Sequence, residues 1–357
     1  MTTTPVRFAI IGVTQPHAGG YAETLLHMPE AEIVAGYDWI DLLQARRQLP
    51  EALRELPLYD DVATLLDREQ PEAAVICMPP SQTPALIEMA AERGIHIIAE
   101  KPCARSAAEF LPAAEAIART GVTFSTGFLR HFYPVAIEMR RIIAEGLLGE
   151  LMSAEISMVT ANVERRNPEH WFFKREMTGG GVLHWLGCHW IDLINFVTGA
   201  EATEVSAMLD TLSGYPLDVE DVAAVTLRYD TGMIGAIHCV YGLDSGADQI
   251  SIGIRGRLGW MRWDGVGPEL QIRSTHPAWA SAPGRTLRFE ADPAPGYGGE
   301  MGMDGIRQFI ASFRDGAPPP FTTADLLRVL DVLDAAESSS VSGQRIAVAR
   351  SAEVSAV

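Results

Sequence analysis

The stretch IIAEKPC, residues 97–103, ends an apolar run with a glutamate, a lysine and a proline. In a parallel nucleotide-binding sheet, the carboxyl end of such a strand lies beside the nicotinamide end of a bound dinucleotide. Lys101 is therefore predicted to exchange a hydroxyl proton with a substrate while hydride moves between the substrate carbon and nicotinamide. Glu-Lys-Pro alone is a weak signal, and a solvated surface lysine is the competing interpretation.

A second candidate site is the turn in AIIGVTQPHAGG, residues 9–20, between a predicted strand and a predicted helix. Gly12 is kept, Thr14 or Gln15 replaces the second glycine of a G-x-G-x-x-G pattern, and Ala18 stands near the third. Loss of the second glycine weakens pyrophosphate binding without forbidding it, because helix amino-terminal N–H groups still point at the phosphates. The turn residues predicted to hold a dinucleotide are Gly12, Thr14, Gln15, Pro16 and His17. His17 has two further interpretations, a substrate contact or no role.

Asp38 ends the second predicted strand, at the separation from the turn at which an acidic residue binds the adenosine ribose diol. Its carboxylate would repel a 2′-phosphate, so the sequence favours NAD over NADP. The alternative is that Asp38 caps a helix starting at Trp39.

The composition excludes several classes of protein. The chain has 357 residues and a formal net charge of −18, and its pI is near 4.9, so nucleic acids and anionic membranes are not expected partners. Four dispersed cysteines without C-x-x-C spacing indicate reduced thiols and a cytoplasmic location. The apolar run near the amino terminus is interpreted as a first strand and not as a signal peptide.

The first third alternates predicted strands with predicted helices, which indicates a doubly wound parallel sheet, that is, a Rossmann-type α/β domain. The strands are 7–11, 33–37, 73–77, 96–99 and 123–126, and the helices are 20–27, 39–48, 61–67, 83–93 and 107–120.

The rest predicts an α+β domain with a large, mainly antiparallel sheet and flanking helices. Its strands are 152–161, 204–212, 221–229, 233–241, 249–255, 259–264, 269–273 and 286–289, and its helices are 135–145, 179–198, 301–313 and 323–340. We therefore divide the chain into residues 1–126 and 127–357, with closing helices at 301–340.

Eight segments together resemble the glucose-fructose oxidoreductase, inositol dehydrogenase and MocA (Gfo/Idh/MocA) family, in that family's order across nearly the whole chain. They are the glycine turn, Asp38, CMPPSQT (77–83), AEKP (99–102), GFLRHFYP (127–134), GLLGEL (146–151), WFFK to GCHWID (171–192) and SSSVSGQRIAV (338–348). The resemblance implies NAD(P)-dependent chemistry on sugars, cyclitols or related polyols. It also implies homodimers or homotetramers formed through the second sheet.

The resemblance assigns roles residue by residue. Lys101 matches the family lysine that transfers a proton and touches cofactor and substrate, and Glu100 and Pro102 complete its motif, with a Lys-Pro bond that is commonly cis. Glycines 179–181 align His189 with the family's substrate-facing histidine, so Lys101 and His189 are the predicted catalytic residues. The cofactor contacts implied after the third predicted strand are Met78, Pro79 and Pro80, together with Glu100.

Trp185 stands where the family has an aspartate, four residues before the histidine. On an α-helix, residues 185, 189 and 192 share a face, whereas His184 is turned away from His189 by about 140°. Trp185 is then either a platform beneath a sugar ring or a plug in an inactive site. Asp192 is interpreted as structural, bonded to His189 or a nearby backbone group.

The remaining predicted substrate contacts are Arg130, Trp171, Lys174 and Tyr297. Three alternatives to a sugar or polyol dehydrogenase stay open: glycoside cleavage through a transient keto-sugar, a catalytically silent binding protein, and a metal hydrolase. The last would use His184, His189, Asp192 and His238, but the expected ligand spacing is missing and no metal is predicted.

Overall fold

A computed structural model describes residues 4–161, 163, 167–243, 249–290 and 293–354. The chain forms two compact units. The first contains the described residues within Met1–Leu129, Asp292–Leu327 and Ser351–Val357, and the second those within Arg130–Ala291 and Arg328–Arg350.

The first unit is built on a six-stranded parallel sheet of order β3-β2-β1-β4-β5-β6. The order reverses between β1 and β4, which is the topological switch point where doubly wound sheets bind ligands. The predicted α/β fold is confirmed. The two-residue β3 was not predicted, because it is too short to show a hydrophobic period. The strands are β1 (Val6–Ile11), β2 (Ala31–Tyr37), β3 (Leu58–Tyr59), β4 (Ala73–Ile76), β5 (His96–Ala99) and β6 (Phe124–Thr126).

Three helices of this unit, α2, α3 and α5, start at local capping signals. Asp41, Asp61 and Ser106 accept hydrogen bonds from backbone N–H groups at the starts of α2, α3 and α5, as side chains at N-caps do. The helices are α1 (Ala18–Leu26), α2 (Leu42–Gln48), α3 (Val62–Glu69), α4 (Thr83–Ala91), α5 (Ala107–Thr120), α9 (Gly299–Asp315) and α11 (Ser351–Val354).

Helix α9 returns late in the chain to the first unit. Its residues Met303, Ile306 and Phe309 belong to the same buried core as Phe8 and Ile10 of β1. The division predicted from the sequence, 1–126 and 127–357, does not include this return. An amphipathic period identifies a helix and its buried face, but it does not identify which sheet that face packs on.

The second unit contains a nine-stranded sheet of order β14-β13-β12-β11-β7-β10-β9-β8-β15. All neighbouring pairs are antiparallel except β7 with β10, so the predicted mainly antiparallel sheet is confirmed. The strands are β7 (Leu151–Val159), β8 (Ala202–Asp210), β9 (Val222–Tyr229), β10 (Ile234–Val240), β11 (Gln249–Gly256), β12 (Gly259–Trp263), β13 (Glu269–Ser274), β14 (Gly284–Arg288) and β15 (Ile346–Ala347).

One face of this sheet is buried and the other is exposed. Along β9, Val225 and Leu227 are buried whereas Ala224 and Thr226 are exposed, as the two-residue period of a strand requires. The helices assigned to the second unit are α6 (Pro134–Ala144), α7 (Arg175–Thr178), α8 (Cys188–Thr198) and the part of α10 (Thr323–Ser342) from Arg328 onward.

The glycine tract before α8 is required by close packing. A Cβ on Gly181 would lie 1.9 Å from the carbonyl oxygen of Glu220. The Gly181 and Leu183 N–H groups donate to the buried Glu220 carboxylate at 2.7 and 3.1 Å. Burial raises the pKa of Glu220 more than these hydrogen bonds lower it.

Gly181→Ala is expected to lower the free energy of unfolding by about 3 kcal/mol, because the backbone of residue 220 has to move. Urea titration followed by circular dichroism measures it. Gly284→Ala is the control, since a Cβ there meets nothing within 4 Å. Equal stability of the two variants would contradict the packing described for residue 181.

Candidate functional site

Gly12 begins the turn after β1. A side chain at this position would require the backbone at Cys77, directly after β4, to move. The φ of Gly12 is 90°, and an added Cβ would lie 2.4 Å from the carbonyl oxygen of Cys77. The Gly12 and Val13 N–H groups both donate to the carbonyl of Tyr37, at 2.8 and 3.1 Å. The turn is thereby fixed against β2.

Thr14, one of the two residues that can correspond to the second glycine, is bonded to Asp38. The Thr14 N–H and hydroxyl each donate to Asp38 Oδ2 at 2.8 Å, and Ile40 N–H lies 3.3 Å from Oδ1. Asp38 is 1% exposed. It does not cap the next helix, which begins at Leu42 and is capped by Asp41, so that alternative is wrong.

Helix α1 presents an amino terminus that can accept an anion. Its first turn has no acidic residue and contains Gly19, where an added Cβ would meet nothing within 4 Å. The N–H groups of a first helical turn and the helix dipole together favour phosphate. The surface of the first turn of α1 is thus open at Gly19.

The segment after β4 is buried and held by a side chain. Met78, Pro79 and Pro80 are all buried, and the Thr83 hydroxyl donates to the carbonyls of Met78 and Pro79 at 2.9 and 3.1 Å. Gln15 and Pro16 lie in the turn, with Gln15 8% exposed. Contacts of these residues with a cofactor stay predictions.

Lys101 follows β5 and is buried, which excludes the solvated-lysine interpretation. It is 4% exposed, its Nζ lies 3.6 Å from Glu100 Oε1, and the Lys101–Pro102 peptide is cis. Cys103, which follows, is also buried, with its Sγ 3.3 Å from the Thr126 hydroxyl.

Glu100 is the centre of a polar cluster. His17 Nδ1 lies 3.0 Å from Oε1, and the Tyr21 hydroxyl donates to Oε2 at 3.3 Å. Burial raises the pKa of Glu100, but His17, Lys101 and Tyr21 together outweigh burial, so the net shift of its pKa is downward. The carboxyl is therefore ionised while it is buried.

Tyr297 belongs to the same cluster. Its ring stacks on His17 with a centroid separation of 4.5 Å and lies 4.8 Å from the ring of Tyr21. Its N–H donates to Gly20 O and Thr24 Oγ1 at 3.0 and 2.8 Å. The sequence identified Tyr297 as a polar candidate but missed Tyr21, whose place inside an amphipathic helix reads as core.

In the second unit, the helix that carries His189 does not begin as an α-helix. Leu183–Gly187 form a π-helical turn, in which the N–H of Cys188 donates to the carbonyl of Leu183, five residues back. A π-turn adds one residue to a helical turn. The segment before α8 therefore departs from the uniform α-helical spacing on which the prediction for residues 184, 185 and 189 was based.

The prediction that residues 185, 189 and 192 share a face, with His184 turned away, assumed 100° per residue throughout, so with a π-turn at 183–187 it stays a prediction. His184 is 2% exposed and His189 is 8% exposed. His184 packs on the glycine tract, because a Cβ on Gly180 would lie 2.1 Å from its Nδ1.

Trp185 lies in an aromatic cluster. Its indole N–H donates to Phe172 O at 3.1 Å, and its ring lies 4.0 Å from the Phe172 ring and 5.6 Å from the Trp171 ring. Trp171 and Trp185 both remain partly exposed. Lys174, on the same segment, forms an ion pair with Glu169 at 3.1 Å.

Arg130 and His131 each contact a residue of α8. The Arg130 guanidinium lies 4.0 Å from the Trp190 ring centroid, a cation–π distance. His131 Nε2 lies 3.0 Å from Asp192 Oδ2, and its ring stacks on Phe196. Asp192 therefore contacts His131, a partner that the sequence did not suggest.

The metal-hydrolase alternative has no geometric support within the described ranges, where no group of three or more His, Cys, Asp or Glu residues is arranged to hold a metal ion. His238 lies on the exposed face of β10. Among the same residues, no helix combines the length and apolar character needed to span a membrane.

Comparisons with known proteins give one family match in each of the two units. Residues 6–128 match the oxidoreductase family with an NAD-binding Rossmann fold, and residues 136–262 match the GFO/IDH/MocA C-terminal domain. A D-glucoside 3-dehydrogenase of Escherichia coli is 28% identical over 57% of each chain. A D-apiose dehydrogenase of Paraburkholderia graminis is 24% identical over 97% of this chain and 91% of its own.

Among solved structures, a levoglucosan dehydrogenase in complex with NADH and L-sorbose has a TM-score of 0.84 and 21% identity. That likeness covers 97% of this chain and 99% of the other, and at this identity it concerns the fold. The chain spans a little over half the length of the glucoside dehydrogenase. With both domains matched in order, the chain belongs to the Gfo/Idh/MocA family of oxidoreductases.

Proposed function

We propose that the protein is an NAD-dependent dehydrogenase that acts on a CH–OH group of a sugar, cyclitol or related polyol. The observation that carries the proposal is the buried Lys101 amine beside an ionised Glu100 carboxylate at the carboxyl end of β5. That position, in a doubly wound sheet, is where a proton must move when a hydroxyl carbon is oxidised.

The first unit fits a dinucleotide. Gly12 keeps the backbone close to Cys77, the open first turn of α1 suits a pyrophosphate, and Asp38 places a carboxylate after β2. When bound, the nicotinamide supplies the acceptor or donor of hydride. Asp38 disfavours a 2′-phosphate by charge repulsion, which supports NAD over NADP.

Lys101 has the chemistry that the reaction needs. Its neutral amine accepts the hydroxyl proton when an alcohol is oxidised, and its ammonium returns a proton when a carbonyl is reduced. We assign His189 as a second polar group on the substrate and Arg130 as a further contact. These roles rest on the family motif and on the burial of His189.

The substrate class is supported by the aromatic cluster of the second unit. The partly exposed Trp171 and Trp185 rings present flat apolar surfaces, which suit the C–H faces of a sugar ring. Sugar dehydrogenases are also the named activities of the relatives above. A catalytically silent binding protein is the second candidate, because Trp185 replaces the aspartate of the family pattern.

We also propose a homodimer or homotetramer formed through the exposed sheet face, in a cytoplasmic setting. Small and apolar side chains line that face, including Met208, Ala224, Thr226 and Ala236. All four cysteines lie among the described residues, are buried and form no disulfide, which suits a reducing compartment.

Asp38→Asn is expected to raise the affinity for NADPH relative to NADH by about tenfold, equivalent to about 1.4 kcal/mol, because it removes a negative charge. Titration with each nucleotide, followed by cofactor fluorescence, measures the ratio. Thr14→Val is the matched control: it removes one hydrogen bond to Asp38 but keeps the charge, so both affinities should fall alike. Absence of saturable binding of either nucleotide to the unmodified protein would refute the proposed function.

Lys101→Met is expected to lower turnover at least about 100-fold while NADH still binds, because the proton acceptor is lost without a change in length. The assay follows NADH formation from NAD with a panel of D-glucosides, levoglucosan, myo-inositol and D-apiose. Lys101→Arg keeps a positive charge but cannot give up its proton, so it should not restore activity. Full activity of Lys101→Met would remove the lysine from the reaction, and binding of NADH without turnover of any compound would favour the silent protein.

Ala236→Arg is expected to convert the assembly to monomers, because it introduces a charge in the middle of the exposed face. Light scattering coupled to size-exclusion chromatography gives the mass. Leu43→Arg, at a position 67% exposed in the first unit, is the control that should leave the mass unchanged. A monomeric unmodified protein would contradict this assembly.

A further inference from the structure

If Lys101 acts as in the proposed function, on which this inference rests, its buried amine needs a route by which to exchange protons with water. In alcohol oxidation the amine gains one proton per turnover and must release it before the next. Its side chain is only 3% exposed, so direct transfer to bulk water from this position is hindered.

Glu100 is an acceptor for that proton beside the amine. Lys101 Nζ lies 3.6 Å from Oε1, and the same oxygen lies 3.0 Å from His17 Nδ1. The His17 side chain is 33% exposed, whereas that of Glu100 is 10% exposed. These three groups therefore lead from a buried amine to a ring that water reaches.

The other polar groups near the carboxylate do not compete for the proton. Burial raises the pKa of the Tyr21 hydroxyl and of the Cys77 thiol, and the charge of Glu100 raises both further. Both groups therefore stay protonated, and neither accepts a proton. Tyr297 stacks on the face of His17 and leaves the ring edge to Glu100.

The backbone of His17 supports a functional role. Its φ of 71° lies in the left-handed region, which is uncommon for a residue other than glycine. Such conformations persist where the surrounding structure holds them and cluster at functional sites. The strained turn places the imidazole beside Glu100, where the usual turn pattern has no histidine.

We propose that Glu100 and His17 form a proton relay between Lys101 and water. A Lys101 N–H bond breaks as an O–H bond forms on Glu100. That O–H bond breaks as N–H forms at His17 Nδ1, and the His17 Nε2 proton leaves to water. One proton passes out and the ammonium becomes an amine. The His17 ring, left as the Nδ1–H tautomer, returns to the Nε2–H tautomer by proton exchange with water before the next turnover. Reduction of a carbonyl runs the same steps in reverse.

The sequence offers a direct test, because it contains only two lysines, Lys101 and Lys174. Full-length protein labelled with [15Nζ]lysine gives two side-chain signals, which Lys174→Arg assigns. Exchange of the ζ hydrogens with water is measured by NMR in the ligand-free protein. The unmodified protein thereby contains its own reference, since Lys174 is 36% exposed and pairs with Glu169.

His17→Asn is expected to slow exchange at Lys101 at least about tenfold, because a positioned proton-transfer group typically contributes more than that. Asparagine tolerates positive φ, so the turn is retained. Exchange at Lys174 should not change, and added imidazole should restore part of the rate at Lys101. Glu100→Gln is the second variant, with the same expected loss and no rescue by imidazole.

His27→Asn is the matched control, because it makes the same change at the other end of α1, where the ring contacts Glu23 O. Unchanged exchange at Lys101 in folded His17→Asn, or equal slowing in His27→Asn, would overturn the relay. Weaker NADH binding with unchanged exchange would make His17 a phosphate contact instead. Because exchange is read without cofactor, a failed NADH titration would refute the proposed function and not the relay.

Discussion

The first unit depends on keeping the carboxylate of Glu100 ionised inside the protein. A buried charge without partners costs several kcal/mol, and here it is offset by His17, Lys101 and Tyr21. Gly127 adds a steric requirement, since a Cβ there would lie 2.7 Å from Oε2. His17, Lys101 and Tyr21 stabilise the charge of Glu100, and their contacts with the carboxylate in turn hold their own side chains in position.

The same requirement explains the unusual glycine turn. The turn that lost a glycine gained His17, which faces Glu100, and Thr14, which is anchored to Asp38. Hydrogen bonds from Thr14 to Asp38 hold the turn in place of a flexible glycine. In α1, an added Cβ at Gly19 would meet nothing within 4 Å. The turn that lacks a glycine of the usual pattern is therefore an ordered turn held by side-chain contacts.

Sequence reasoning predicted most of the fold, because long strands and helices carry their own periods. The strands near 222–229 and 269–274 alternate cleanly and were predicted within a residue or so. It failed where the information is not local. The packing of α9 on β1, the pairing of His131 with Asp192 and the position of Tyr297 beside His17 all join residues distant in the chain. No spacing rule reports such pairs.

The π-turn at 183–187 was also not predicted, and it affects the spacing rule itself. Counting at 100° per residue assumes an α-helix throughout, and one extra residue in a turn moves every earlier side chain to another face. Trp185 packs on Phe172 and Trp171, and the buried His184 packs against Gly180. The substitution of tryptophan for aspartate at position 185 therefore cannot be judged as an exchange within a fixed helix face. It belongs with the histidine at 184 and the inserted turn as one local rearrangement.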